Sequence, residues 1–300
     1  MTPLCSVSVD LDGLGCYAAV HGLDAAALPD AALRAVPEVA VARLCELFDA
    51  LDLRGTFFAI GRELAYGTAL IASAARSGHE LASHSFDHDY ALSRRAPDAI
   101  ARDLSQAEDA IAQVCGARPR GFRAPGYTLS GALLGQLRQR GYLYDSSLLP
   151  SPLYYAAKAC AIGLHALRGR RSHSILGGTG QLFGSRRPHL RAGVRELPVA
   201  TLPFLRAPVI GTVALGVGDG TAALLARGAF AGGHLNLELH GIDVLDASDA
   251  TPELARVQPG LAVKASEKMR RLRALLVRVR ERATVVTLEQ AARHFWPDAP

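Results

Sequence analysis

The 300 residues could form two average domains, yet α/β barrels use this much chain around one core, so a single domain is expected. The 33 Lys+Arg against 28 Asp+Glu leave a formal charge of +5, small for this length and not a nucleic-acid stripe. Five widely separated cysteines (Cys5, Cys16, Cys45, Cys115, Cys160) include no Cys-x-x-Cys pair and read as buried thiols of a reducing compartment.

Strand-like apolar runs then alternate with helix-like stretches. Leu4 to Asp10 reads as a strand, Glu38 to Leu51 as an amphipathic helix, Gly55 to Ile60 as a second strand and Glu63 to Ser77 as a helix. A short strand at Glu80 to Ser83, a helix at Pro97 to Cys115, a strand at Gly121 to Arg123 and a helix at Gly131 to Arg140 continue the series, which implies parallel strands. Past Leu149 the pattern weakens. It returns with a strand at Leu235 to His240, a long basic helix at Ala262 to Arg282, a strand at Thr284 to Leu288 and a terminal helix to Phe295. The expectation is an α/β barrel domain over 1–300 with an inserted or capping excursion at about 150–233. Met1-Thr-Pro leads straight into a strand without the basic and apolar regions of a signal peptide, and no apolar run reaches the ~18 residues of a membrane span, so a cytoplasmic protein is expected.

The chemistry is concentrated in two short strings. Asp10 and Asp12 stand in Ser8-Val-Asp10-Leu-Asp12-Gly13, and His84 and His88 in His84-Ser-Phe-Asp-His88. A carboxylate with two imidazoles is the ligand set of a catalytic Zn²⁺ or similar divalent ion, and a second carboxylate beside it can take a proton from water. Taken alone, His-x-x-x-His is equally compatible with ordinary turn residues. Placement separates the two readings: Asp10 and Asp12 end the first strand, His84 and His88 follow the third, Arg123 ends the fourth and His240 a later one. In a barrel of parallel strands these positions meet at one rim, where active sites are built.

At these residues the chain resembles the polysaccharide deacetylase family, carbohydrate esterase family four. Ser8-Val-Asp10-Leu-Asp12-Gly13 is similar to its first motif in a variant with one residue between the aspartates. By that resemblance Asp10 is the catalytic base and Asp12 a metal ligand, and His84-Ser-Phe-Asp-His88 completes the metal site. Phe122-Arg123-Ala-Pro125-Gly126-Tyr127 resembles the third motif, with an arginine that steadies the base and a backbone that lines the site. Leu237-Glu-Leu-His240 resembles the last, whose histidine is the general acid. Gly55-Thr-Phe-Phe-Ala-Ile-Gly61 and Tyr144-Asp145-Ser-Ser resemble scaffold strings. The resemblance implies a distorted (β/α)7 barrel, a divalent metal with Zn²⁺ foremost, and removal of an N-acyl group from an amino sugar.

That chemistry also stands on general grounds. Amide hydrolysis needs a nucleophile stronger than water, a donor for the tetrahedral oxyanion and a proton for the amine. Metal on Asp12, His84 and His88 would hold the water and Asp10 would accept its proton. Arg123 would orient Asp10, the backbone at Pro125, Gly126 and Tyr127, with Leu237 nearby, would meet the acyl group, and His240 would protonate the nitrogen. A surface pair for Arg123 and a core position for His240 are the plain alternatives. The family's Asp and Trp motif before the last histidine is missing: the one tryptophan is Trp296. Glu196, in Arg195-Glu196-Leu-Pro198, is a candidate substitute, and the sequence leaves open what orients His240.

Two other classes compete. Val9-Asp10-Leu-Asp12-Gly13 also resembles the nucleophile loop of haloacid-dehalogenase phosphatases, and Gly216-Val-Gly218-Asp219-Gly220 their magnesium loop. Against this, Leu14 stands where a Thr is needed, Ala222 and Ala223 where another Asp is needed, and Lys158, Lys264 and Lys268 lie at no strand end. A non-catalytic carbohydrate-binding barrel is the third class, disfavoured because no ligand or base is missing. For substrate, the apolar run Leu153 to Leu167 followed by Arg168, Arg170 and Arg171, with Arg186, Arg187 and Arg191 further on, suits a lipid- or nucleotide-linked sugar and peripheral contact with the inner membrane face; a plain helical cap fits equally. No nucleic-acid partner is expected, and the sequence leaves the oligomeric state open.

Overall fold

A computed structural model describes residues 2–167, 175–176 and 179–298. Its sheet is built from β1 (Leu4–Asp10), β2 (Thr56–Ala59), β3 (Glu80–Ser83), β4 (Gly121–Phe122), β5 (Tyr144–Asp145), β6 (His189–Arg191), β7 (Val194–Glu196), β8 (His234–His240) and β9 (Thr284–Val285). The order is β6-β7-β5-β4-β3-β2-β1-β8, with β9 beside β1. Among these strands every pairing is parallel except the β6–β7 hairpin. Helices connect the parallel strands, as crossovers must.

Period-two alternation decides which face does what. On β1 and β8, Cys5, Val7, Val9, Leu235, Leu237 and Leu239 face the helices and join the main apolar core with Leu44, Phe48, Leu272 and Leu276. The opposite face is polar and equally buried: Ser6 meets His234 at 3.0 Å, and the Ser8 hydroxyl donates to Asn236 Oδ1 at 2.9 Å. Because β1 and β8 run parallel in register, Asp10 is level with His240 at the same sheet end.

The sheet curls into a distorted, incompletely closed (β/α) barrel. Closure falls to the segment after β7, where Leu197 N–H donates to Asp145 O (2.8 Å), Val199 N–H to Leu148 O (2.9 Å) and Ala200 N–H to Asn236 O (3.0 Å). A single parallel bridge, Ile210 to Glu238, extends the seam. The stretch around 150–233 therefore supplies barrel wall as well as cover. It also contains helices Pro152–Leu167, Gly211–Gly216 and Asp219–Ala229. Arg168, Arg170 and Arg171 lie outside the described residues.

Several boundaries differ from expectation for local reasons. The helix expected from Glu38 begins earlier: Asp30–Arg34 runs through a π-helical turn, Ala35–Ala40, into Val41–Ala50. Pro37 sits in that turn, where a residue without an N–H is tolerated by widening the ladder. The last strand stops at Val285 because Thr287 caps helix Leu288–Phe295, accepting from Gln290 N–H while its own N–H donates to Gln290 Oε1 (3.0 Å).

Candidate active site

Three side chains converge just beyond the ends of β1 and β3. Asp12 Oδ1 lies 3.3 Å from both His84 Nε2 and His88 Nε2, and all three residues are buried. The His84 Nδ1–H donates to the Arg123 carbonyl at 2.7 Å, which leaves the Nε2 lone pair aimed inward. His88 is presented by a strained loop with Ser85 at φ +65° and His88 at φ +54°. Two bonds to the buried Asp103 carboxylate, from Phe86 N–H (3.0 Å) and Asp87 N–H (3.1 Å), hold that loop.

These residues fit a divalent cation. Asp12 Oδ1 and His88 Nε2 are buried polar atoms without a hydrogen-bond partner, a costly state for two groups that face each other unless a cation satisfies both. Burial would raise the Asp12 carboxyl, but the two imidazoles outweigh it and hold the group well below the usual carboxylate range.

Beside this triad Arg123 grips Asp10. The guanidinium is fully buried at the end of β4 and donates from Nη1 to Asp10 Oδ1 (2.6 Å), from Nε to Ser146 O (2.9 Å) and from Nη2 to Ser8 Oγ (3.0 Å) and Ser146 Oγ (2.9 Å). It also stacks over Phe58, 4.1 Å from the ring centroid. One carboxylate oxygen of Asp10 is thereby fixed, while Oδ2 faces His84 Nε2 (3.7 Å) and His240 Nε2 (4.0 Å). Arg123 is thus no surface pair.

His240 ends β8 with its ring toward the same centre, and the carboxylate beside that ring is Glu238, not Glu196. Glu238 Oε1 is 3.6 Å from His240 Nε2, and the Tyr127 hydroxyl donates to that same oxygen. Glu196 instead accepts from Leu148 N–H at 3.0 Å and shares a buried hydrogen bond with Asp145. A glutamate two positions before His240 in an alternating strand was the available signal, since it must share the histidine's face. The same alternation corrects Leu237, which turns to the helix side and belongs to the apolar core rather than to the site. Burial would depress the His240 imidazole, yet Glu238 foremost, then Asp10 and Asp12, lift it to about 9. Trp296 packs instead with Leu288 and Ala292 at the other end of the chain.

Pro125, Gly126 and Tyr127 form the tight turn after β4, with Gly126 at φ +61° and Tyr127 at φ +64°. A Cβ on Gly126 would stand 2.6 Å from the Tyr90 ring, so only glycine fits. The Tyr127 N–H is committed to Ala124 O at 3.0 Å. Two cavities flank the centre. One of about 640 Å³ is lined by Cys16, Arg62, Glu63, Asp87, His88 and Tyr90. The other, about 430 Å³ and largely apolar, is lined by Tyr127, Leu153, Tyr154, Ile210, Val213 and His240.

The phosphatase elements do not assemble. Asp219 begins helix Asp219–Ala229 and pairs with Arg270 at 2.9 Å, and Lys268 donates to the Ile242 and Gly260 carbonyls. Lys158 does reach the rim, from a helix rather than a strand end. Arg186, one of the excursion's arginines, donates to the Thr201 carbonyl.

A curled parallel barrel with a carboxylate and two imidazoles at its C-terminal rim defines the class of fold and site. The polysaccharide deacetylase family model matches residues 34–144, a span that holds His84, His88 and Arg123 while Asp10, Asp12 and His240 come to it through the fold. Over those residues the chain is similar to that family. It is 26% identical to a peptidoglycan deacetylase of Helicobacter pylori over 150 residues, 49% of this chain and 50% of that protein. A peptidoglycan deacetylase-like protein of Gibberella zeae is 29% identical over 124 residues, 39% of this chain and 36% of that one. The chain thus spans half or less of the curated relatives it matches. Among solved structures, a Mycobacterium smegmatis protein assigned as a polysaccharide deacetylase superposes with a TM-score of 0.61 at 21% identity, covering 98% of this chain and 90% of that one. The CE4 domain of a xylanase from a Trinervitermes trinervoides hindgut metagenome gives 0.53 at 13%, covering 98% and 91%. These likenesses bear on the fold.

Proposed function

We propose that this chain is a metal-dependent hydrolase that removes the N-acetyl group of an amino sugar. The observation that carries the reading is the meeting of two buried clusters, Asp12–His84–His88 and Asp10–Glu238–His240, at one sheet end, each with its ligating atoms within 4.8 Å of one another. The names of the relatives support an N-acetylated glycan as substrate. All the parts of a hydrolytic site are present together, which disfavours a binding-only barrel.

Asp12, His84 and His88 would hold a divalent cation, Zn²⁺ by the character of these ligands, which when bound would supply polarisation of the acyl carbonyl and a more acidic water. Asp10, with one oxygen locked by Arg123, takes the water's proton on Oδ2. The Gly126 amide is the oxyanion donor, since the Tyr127 N–H is already spent. His240, kept protonated by its neighbouring carboxylates, gives its proton to the leaving nitrogen. Glu238, itself bonded by the Tyr127 hydroxyl, places a carboxylate beside the ring for that transfer.

The finer substrate reading is a lipid- or nucleotide-linked amino sugar, handled by a cytoplasmic enzyme that touches the membrane peripherally. It is supported by large exposed apolar side chains in the cover, Phe183, Phe204 and Leu205. No helix of the described residues is long and apolar enough to cross a membrane. Elemental analysis of the purified protein, paired with an assay of acetate released from N-acetylated sugars and oligosaccharides, tests the activity. A metal-loaded protein that releases no acyl group from any of them overturns it. Sedimentation with anionic liposomes at low and high salt tests the membrane contact, whose charge-dependent part fades as salt shortens the screening length.

A further inference from the structure

Lys158 points from helix Pro152–Leu167 into the rim and meets no acid there. Its Nζ donates to the Gly126 carbonyl at 3.3 Å and stands 5.9 Å from the ring centroids of both Tyr90 and Tyr154. Among the described residues no carboxylate pairs with it, and burial alone acts on the ammonium, lowering it to about 8. A cation withdrawn from water without a counter-charge is costly, and one carbonyl dipole with two distant ring faces offsets only part of that.

Its position relates it to the reacting centre. Tyr90 lines the cavity that holds His88, and its ring lies 4.9 Å from that imidazole. Tyr154 lines the cavity that holds His240, with its ring 5.5 Å from Tyr127. Lys158 itself lines neither cavity but stands beside the two rings that do, one ring away from a metal ligand and one from the Tyr127–Glu238 pair. Other charges at the mouth have partners: Asp87 faces Arg62 at 3.8 Å and Asp89 is paired with Arg95 at 2.7 Å. Among the described residues Lys158 is a cation at this rim with no carboxylate partner.

We propose that Lys158 recognises a negatively charged substituent, phosphate or carboxylate, carried by the amino sugar, so that the site selects anionic over neutral amino sugars. This rests on the deacetylase reading for the identity of the sugar. A charge-assisted hydrogen bond in a half-buried site favours the anionic ligand by about tenfold to a hundredfold.

The test uses metal-loaded protein and amine products, which need no turnover: calorimetric titration with methyl glucosaminide, glucosamine 1-phosphate and muramic acid. Wild type should bind at least one anionic sugar more tightly by the stated factor, and which one gains separates phosphate from carboxylate. Lys158→Met should bring the ratio of affinities toward one, while Lys158→Arg keeps most of it; thermal melting confirms that both variants fold. Equal binding of all three sugars by wild type overturns the proposal, as does an anion preference that survives Lys158→Met, since the anion would then be held elsewhere. Because no chemistry is required, absence of deacetylation would remove the activity proposed above without touching this result.

Discussion

Arg123 Nη1 and Asp10 Oδ1 lie 2.6 Å apart with both side chains shut off from solvent, 113 residues apart in the chain. The pair ties β1 to β4 and leaves the second oxygen of Asp10 for chemistry. Breaking such a pair strands a buried charge, which costs about 3–5 kcal/mol. Arg123→Met should therefore lower the denaturation midpoint markedly. Arg123→Lys keeps the charge but loses the fork that spans Asp10, Ser8 and Ser146, and should lose turnover with a smaller loss of stability. A lysine variant with wild-type kcat would show that the fork geometry is irrelevant.

Metal content should follow the triad. His84→Ala or His88→Ala removes one of three protein ligands, and elemental analysis should find most of the bound metal gone. Equal metal in mutant and wild type would contradict the ligand assignment.

Asp10 and Asp12 should separate base from ligand. Asp10→Asn should retain metal and lose ~10²- to 10⁴-fold in kcat, the usual worth of a general base. Asp12→Asn should lose metal affinity. Trapping of a phosphoryl group or a fluoroberyllate on Asp10 would instead favour the phosphatase chemistry.

The Glu238 charge sets the alkaline edge. Burial pushes the His240 imidazole down and the carboxylates, Glu238 first, push it up to about 9. His240 acts in its protonated form, so activity should fall as pH rises through its pKa. Removing the negative charge lowers that pKa, so Glu238→Gln should move the basic limb of the kcat profile to lower pH by roughly 1–3 units. An unmoved basic limb would mean that Glu238 does not act on His240.

His234 should be an acid-side liability. It is buried against Ser6 and Phe295, and burial, then the neighbouring His294, lower it to about 3. The unfolded chain takes up a proton near pH ~6.5 that the folded chain refuses, so stability contributed by the neutral ring is present above that pH. It is lost as pH falls toward 3, at a limiting slope of about 1.4 kcal/mol per pH unit. Chemical denaturation of His234→Gln between pH 6.5 and 4 should show a shallower slope than wild type; parallel slopes would refute it.

The residues that carry the proposed chemistry were legible without coordinates, because each is a polar residue at the end or exit of a strand in an alternating β and α pattern. Asp10, Asp12, His84, His88, Arg123 and His240 could be singled out on that ground, and parallel strands bring such ends together whatever their distance in sequence. The long strand β1 and helices such as Pro97–Cys115 were readable from periodicity, whereas β5 has only two residues, Tyr144 and Asp145, and no period to read. What lies across the barrel was decided by tertiary structure. Tyr127, from the turn after β4, spends its hydroxyl on Glu238 of β8, Glu196 turns to Leu148 and Asp145 rather than to His240, and Lys158 reaches the rim from a helix in the cover. None of these follows from local propensity: each depends on which residues from separate strands and helices come to share one face once the sheet curls.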